Sequence, residues 1–198
     1  LLYNFKDTPV ELYRRLKINV ELCEELDISI YSFPMKYHPI KKGINDEIDF
    51  SHNRDYIGEH WNRKYIRAVQ AILNSTKGKV GRGKSFFYEA FGSTEDEFLE
   101  LLEMPETFIL YRFFFKWLDE HGEYGTSHWR NCWKECMEQL DSDEKELLLD
   151  VIHRNKFNDD ICETFVNPIV KKLLAFYNNY RTDIITEGTE LFRLKQIY

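Results

Sequence analysis

Apolar positions recur at two different periods along the first thirty-five residues of this 198-residue chain, and the switch between them defines its opening elements. Leu1, Leu2 and Tyr3, followed by Asn4, form a short β-prone run. Leu12, Leu16, Val20, Cys23 and Leu26 then return at three- and four-residue spacing, with Arg14, Arg15, Lys17, Glu21, Glu24 and Glu25 on the other side. That pattern predicts an amphipathic helix over 9–26. Thr8 is placed to cap it, Pro9 brings a preset φ to the first helical position, and Glu11 completes a capping box. Ile28 to Phe33 is a second β-rich run, read as stopping at Pro34, which has no N–H to give a ladder. A connection this long and helical throughout predicts that 1–4 and 28–33 pair in parallel as a right-handed crossover.

From Pro34 to Gly58 no period is sustained, and a long loop is expected, with Ile48-Asp49-Phe50 as its one pairing segment. Helical spacing resumes at Glu59. Trp61, Tyr65, Ala68, Val69 and Ile72 mark a helix ending before Gly78. Ser85 is read as the cap of a short helix from Phe86 to Phe91, and Thr94 as the cap of one reaching the Met104-Pro105 break. Glu106 to His121 carries aromatic and aliphatic residues nearly all round, which predicts one central helix. Helices are also expected over 127–140, 142–153 and 161–178, the last bent at Pro168.

The resulting class is α+β, predominantly α-helical. Residues 1–40 form a short parallel β-α-β segment, 41–58 a connection, and 59–198 a helical carboxyl-terminal extension. Parallel strands are normally buried on both faces and flanked by further strands. Two strands therefore predict a piece of a longer protein, whose missing amino-terminal part is the first expected partner.

Composition narrows the classes. With 43% hydrophobic and 16% aromatic residues the chain is globular rather than disordered. No apolar run approaches the ~20 residues that cross a bilayer, and no secretory leader pattern is present, so no membrane partner is expected. Cys23, Cys132, Cys136 and Cys162 are too scattered for a secreted disulfide framework, which makes a reducing cytoplasm the expected location. The net charge of −7 conceals an asymmetry: seven Lys or Arg and no acid fall between His60 and Tyr88. Overall acidity and the lack of a recognised nucleic-acid motif disfavour specific nucleic-acid binding.

Gly78 to Ser85 matches the letters of the phosphate loop GxxxxGK[ST], but that loop must leave a buried strand, and here a helix precedes it. The reading is a glycine-rich basic turn. Lys79, Arg82, Lys84 and Ser85 are the candidates for a weak anion site at the start of the following helix. His128, Cys132 and Cys136 share one helix face. The outer two lie ~12 Å apart at ~1.5 Å per residue, too far for one ion with ligand distances of ~2.0–2.3 Å. Packing is the role expected of these cysteines, and no metal is assigned. No catalytic triad can be built from the remaining histidines.

One family resemblance is carried by Tyr3-Asn4-Phe5-Lys6-Asp7-Thr8-Pro9, Tyr13-Arg14-Arg15-Leu16, Asn19-Val20-Glu21-Leu22 and Ile30 to Tyr37. Together these resemble the last β-α-β step of a radical S-adenosylmethionine (SAM) enzyme barrel. His60-Trp61-Asn62, 67–73, Phe86-Phe87, Ala90-Phe91-Gly92 and Trp129-Arg130 resemble a helical extension found after the barrel in some of these proteins. The resemblance implies a TIM-barrel fragment of an iron-sulfur enzyme with SAM and a 4Fe–4S cluster as cofactors. The cluster reductively cleaves SAM to a 5′-deoxyadenosyl radical that abstracts hydrogen from a substrate, here unknown. The family's CxxxCxxC cluster motif is not in these 198 residues, so this portion alone is expected to hold no cofactor and be inactive. By position the resemblance assigns Tyr31, Ser32, Phe33 and Pro34, with Asn4, to the rim that contacts the SAM adenine. A rival from another class is a non-catalytic helical interaction module whose basic loop, 78–85, binds an anionic partner such as nucleic acid or phosphate.

Overall fold

A computed structural model describes residues 1–30, 32–39, 41–42, 48–49, 55–80, 83–122, 125–157 and 164–178. The chain is predominantly helical, with a short parallel sheet at its start. It divides into two compact units, 1–103 and 104–198. No described helix is long and apolar enough to cross a membrane.

In the first unit, β1 (Leu2–Tyr3) leads into α1 (Pro9–Glu25). The capping box is complete: Glu11 N donates to Thr8 Oγ1 at 3.2 Å, and Thr8 N donates to the Glu11 carboxylate at 2.6 Å. A cap of this kind stabilises by ~1 kcal/mol. β2 (Met35–Lys36) pairs in parallel with β1, Leu2 opposite Met35 and Tyr3 opposite Lys36. The orientation is as expected; the strand's place is not. Residues 28–30 and 32–34 carry no strand, because α1 holds them: Ile30 N donates to Cys23 Sγ at 3.1 Å and Asn19 Nδ2 donates to Ser32 Oγ. Nor does Pro34 end the strand. The bonds to β1 come from Met35 N to Leu1 O and Tyr37 N to Tyr3 O, both 2.8 Å, so position 34 immediately precedes the ladder and the missing N–H removes no bond to β1.

β3 (Lys41–Lys42) and β4 (Ile48–Asp49) pair antiparallel within the expected loop. α2 (Arg63–Ser75) is capped by Asn62, and α3 (Lys84–Phe91) and α4 (Glu95–Glu103) follow. α3 starts one residue before Ser85, at Lys84, with Gly83 as its N-cap and no side-chain cap, so Ser85 does not fill that role. The core joins α1 to α3 and α4 through Tyr13, whose ring lies 5.4 Å from Phe87 and 5.3 Å from Phe98 and whose hydroxyl donates to Gly92 O at 3.0 Å. α2 joins α4 through polar bonds: buried Lys64 Nζ donates to Leu102 O at 2.8 Å, and Tyr65 Oη donates to Glu103 Oε1 at 2.6 Å.

In the second unit, α5 (Glu106–Leu110) and α6 (Arg112–Glu120) replace the single helix expected over 106–121, with Tyr111 outside helical geometry between them. Phe108, Phe114, Phe115 and Leu118 are buried. Asp119 accepts bonds from Thr126 N, Thr126 Oγ1 and Ser127 N and so sets the start of α7 (Ser127–Gln139). α8 (Ser142–Arg154) has a capping box between Asp141 and Glu144. α9 (Pro168–Asn178) begins at Pro168 rather than bending there, since a first-turn proline gives up an N–H that has no helical partner.

Candidate functional site

The two parallel strands have unlike faces. Tyr3 is buried, its ring 5.3 Å from that of Trp61, and Ser32, which shares a parity with Pro34 and Lys36, is bonded to Asn19 of α1. Across the sheet Leu2 is 49% exposed, Phe33 65% and Met35 59%, three large apolar side chains on one uncovered face. Among the described residues each strand pairs only with the other, so each keeps an outer edge.

Beyond the carboxyl ends of the strands the chain is tied down by Asn4. Its side chain is fully buried and its backbone is left-handed, with φ 69°. Asn4 Nδ2 donates to Tyr37 O at 3.3 Å and to Tyr56 O at 3.0 Å, and Oδ1 accepts from Gly58 N at 2.8 Å. Asparagine tolerates this backbone region better than other side-chain-bearing residues. Above this junction the Tyr37 ring packs 4.6 Å from Phe5 and 5.7 Å from Tyr56, and Lys6 Nζ lies 5.7 Å from the Phe5 ring centre.

The rim residues expected from sequence fall in different places. Asn4 is at the carboxyl end of β1, with its amide spent on backbone partners. Ser32, Phe33 and Pro34 lie at the amino end of β2, because the strand starts later than its pattern suggested. Ser32 is buried, Pro34 half-buried and Phe33 exposed on the bare face. Tyr31 lies outside the described residues. The position after β2 belongs instead to Tyr37, which only the register reveals.

At the basic turn the structure supplies an anion from within. Lys84 N donates to Glu24 Oε1 at 2.8 Å, and Lys84 Nζ lies 3.1 Å from Glu24 Oε2. The carboxylate of α1 thus sits where the start of α3 would receive a phosphate. The backbone bond from Lys84, then its side chain, lowers the Glu24 pKa, and Glu24 in turn raises that of Lys84. Lys79 and Ser85 are exposed, and Arg82 lies outside the described residues. α2 precedes the turn, so the strand a phosphate loop requires is replaced by a helix.

Cys132 and Cys136 are buried and both donate to Ile169 O, at 3.9 and 3.5 Å. Burial raises both thiol pKa values, that of Cys136 to about 12. Neutral thiols packed against α9 are the core role expected of them. His128 is exposed, and no group of three metal-ligating side chains occurs among the described residues.

No family model, curated protein or solved structure matches the chain. The functional reading therefore stands on its residues and geometry.

Proposed function

We propose that this chain is the carboxyl-terminal portion of a radical SAM enzyme, contributing the last β-α-β step of its barrel and a helical extension. The observation that carries the reading is the sheet itself. Its two strands run parallel through a helix, one face is covered from the α1 side, and the other exposes Leu2, Phe33 and Met35. In a closed parallel barrel the helices lie outside and the opposite face is packed by side chains from the other strands. Burying three such side chains is worth roughly 1.5–3 kcal/mol each, a gain this sheet cannot realise alone.

The fit to the cofactor is partial within these residues. Asn4 and Ser32 are committed to internal hydrogen bonds, whereas Phe33 offers an exposed ring on the inner face and Tyr37 with Phe5 lines the carboxyl end. Ligands of parallel barrels bind at that end, which favours Tyr37 and Phe5 over Ser32 and Pro34 as its wall. The thiolates that hold the cluster would come from the preceding part of the polypeptide, and cluster and SAM together would supply the hydrogen-abstracting chemistry. The substrate is left unassigned.

Translation of the reading frame upstream of Leu1 tests this proposal. An in-frame CxxxCxxC preceded and followed by further β-α units supports it. A frame without that motif favours the rival, a non-catalytic helical module that binds an anionic partner through its basic segment.

A further inference from the structure

Three rings from three separate stretches of the chain meet at the carboxyl end of the parallel strands. Phe5 is 44% exposed, Tyr37 and Tyr56 are half-buried, and the Tyr37 ring lies 4.6 Å from Phe5 and 5.7 Å from Tyr56. The backbone, rather than apolar collapse, holds them there. The fully buried Asn4 amide donates to the backbone oxygens of both tyrosines, and Phe5, the next residue, donates its own N–H to Asp7 Oδ1 at 3.0 Å. Non-glycine backbone held at positive φ by buried bonds, as at Asn4, marks functional sites more often than ordinary loops. The charge beside the rings is positive: Lys6 is exposed, with Nζ 5.7 Å from the Phe5 ring centre. The acids next to the rings in sequence have counter-charges of their own. Asp7 is paired with Arg15, and Asp55, 91% exposed, faces Arg63 Nη2 at 3.8 Å.

We infer that this corner binds a nucleoside phosphate, the substrate of the proposed enzyme, with its base against the exposed Phe5 ring beside Tyr37 and Tyr56 and its phosphate on Lys6. Aromatic side chains accept any nucleobase, because every base has a π-face. An ammonium holds phosphate as a point charge with three donors. SAM enters the same end in the barrel reading, but its sulfonium and ammonium against one carboxylate leave it net positive. Lys6 repels such a ligand within the ~8 Å over which exposed charges act at physiological salt, so the ring beside Lys6 suits an anionic partner instead. The inference rests on the barrel reading in calling this ligand a substrate, since ligands of parallel barrels bind beyond the carboxyl ends of the strands. The binding itself is a property of this chain.

The test is displacement of ribose-labelled adenosine 5′-monophosphate (AMP) from the 198-residue chain, followed by fluorescence anisotropy, with AMP, adenosine, inorganic phosphate and SAM as competitors. AMP should compete at least ~10-fold better than adenosine or SAM, the worth of a charge-assisted bond. Lys6→Gln should remove that preference and leave adenosine binding in place. Phe5→Ala should weaken AMP by ~5- to 100-fold, the loss of one stacked base, whereas Phe5→Tyr, which keeps the ring, should retain it, both with an unchanged helical circular dichroism spectrum. An oligoadenylate that competes better per nucleotide than AMP assigns the site to a strand, and one that competes worse assigns it to the free nucleotide; both support the base-and-phosphate chemistry. No displacement by AMP at millimolar concentration, equal competition by adenosine and AMP, or unchanged AMP affinity in Phe5→Ala would overturn the assignment. AMP binding alongside a longer polypeptide that forms no 5′-deoxyadenosine would keep the site and overturn its role as a substrate site, while 5′-deoxyadenosine without AMP binding would sink the substrate class and leave the barrel reading standing.

Discussion

Asn4 and Gly58 are joined by a bond that fixes both partners: Gly58 N donates to Asn4 Oδ1 at 2.8 Å, and a Cβ at position 58 would sit 2.5 Å from Phe5 O. The chain returning from the sheet toward α2 thus passes against the end of β1 too closely for any side chain. Asn4→Ala removes three hydrogen bonds from a buried site and places alanine at positive φ. Each buried group left unpaired costs ~1–3 kcal/mol, so a loss of about 3 kcal/mol or more is expected in urea unfolding. Gly58→Ala should destabilise through the clash alone, leaving the Asn4 side chain in place.

Tyr13 links α1 to the turn before α4, and burial, followed by nearby Tyr88, Glu97, Glu95 and Glu21, raises its pKa to about 12. Burial alone does the same for Tyr3. A raised folded pKa means that stability is fully present below the unfolded tyrosine value near ~10 and drains as pH rises toward about 12. Thermal melts from pH 9 to 12 should therefore show falling midpoints. Tyr13→Phe should cost ~1 kcal/mol at neutral pH through the lost bond to Gly92 and reduce the alkaline decline.

Acid acts on a different set. Glu11, Glu24 and Glu95 have lowered pKa values, set first by Thr8 N, Lys84 N and the Arg14 side chain respectively. For Asp119, burial works against ionisation, but bonds from Ser127 and Thr126 outweigh it and the pKa is lowered as well. Lowered folded values mean stability present above the ordinary carboxylate range, near ~4, and lost as pH falls below it. Asp119→Asn should lower the midpoint at pH 7 and flatten the acid limb. Lys84→Ala should fray α3 without creating or abolishing ATP binding, which calorimetric titration checks.

Some of this was legible in the sequence because the signal is local. Thr8, Pro9 and Glu11 announced α1, and the same box at Asp141 and Glu144 lies in the acidic run that opens α8. The parallel sense of β1 and β2 followed from the length of the helix between them. Features set by distant partners were not legible. The shift of β2 from 28–33 to 35–36 depends on Cys23 and Asn19 capturing Ile30 and Ser32. The anion seat at Lys84 is filled by a glutamate sixty positions earlier. The place of Asn4 at the strand end shows in the sequence, and the resemblance adds the rim role, whereas its left-handed backbone and three backbone partners do not show.

The bare sheet face predicts association. Leu2, Phe33 and Met35 together present an apolar surface beside strand edges that carry no further strand among the described residues, the arrangement that invites pairing between chains. Sedimentation velocity should show concentration-dependent oligomers, and Leu2→Lys/Met35→Glu should shift the distribution toward monomer. A native chain that stays monomeric at high concentration would count against an unfilled barrel face.

The proposal requires that this chain be translated together with an upstream segment, and the most direct measurement is made on that polypeptide, purified and reconstituted with iron and sulfide without oxygen. Incubated with SAM and dithionite, it should form 5′-deoxyadenosine and methionine. Replacing the upstream cysteines with alanine should abolish both products and the cluster's visible absorption. If that polypeptide binds no iron-sulfur cluster and yields no 5′-deoxyadenosine above the cysteine-free control, the radical SAM assignment is wrong.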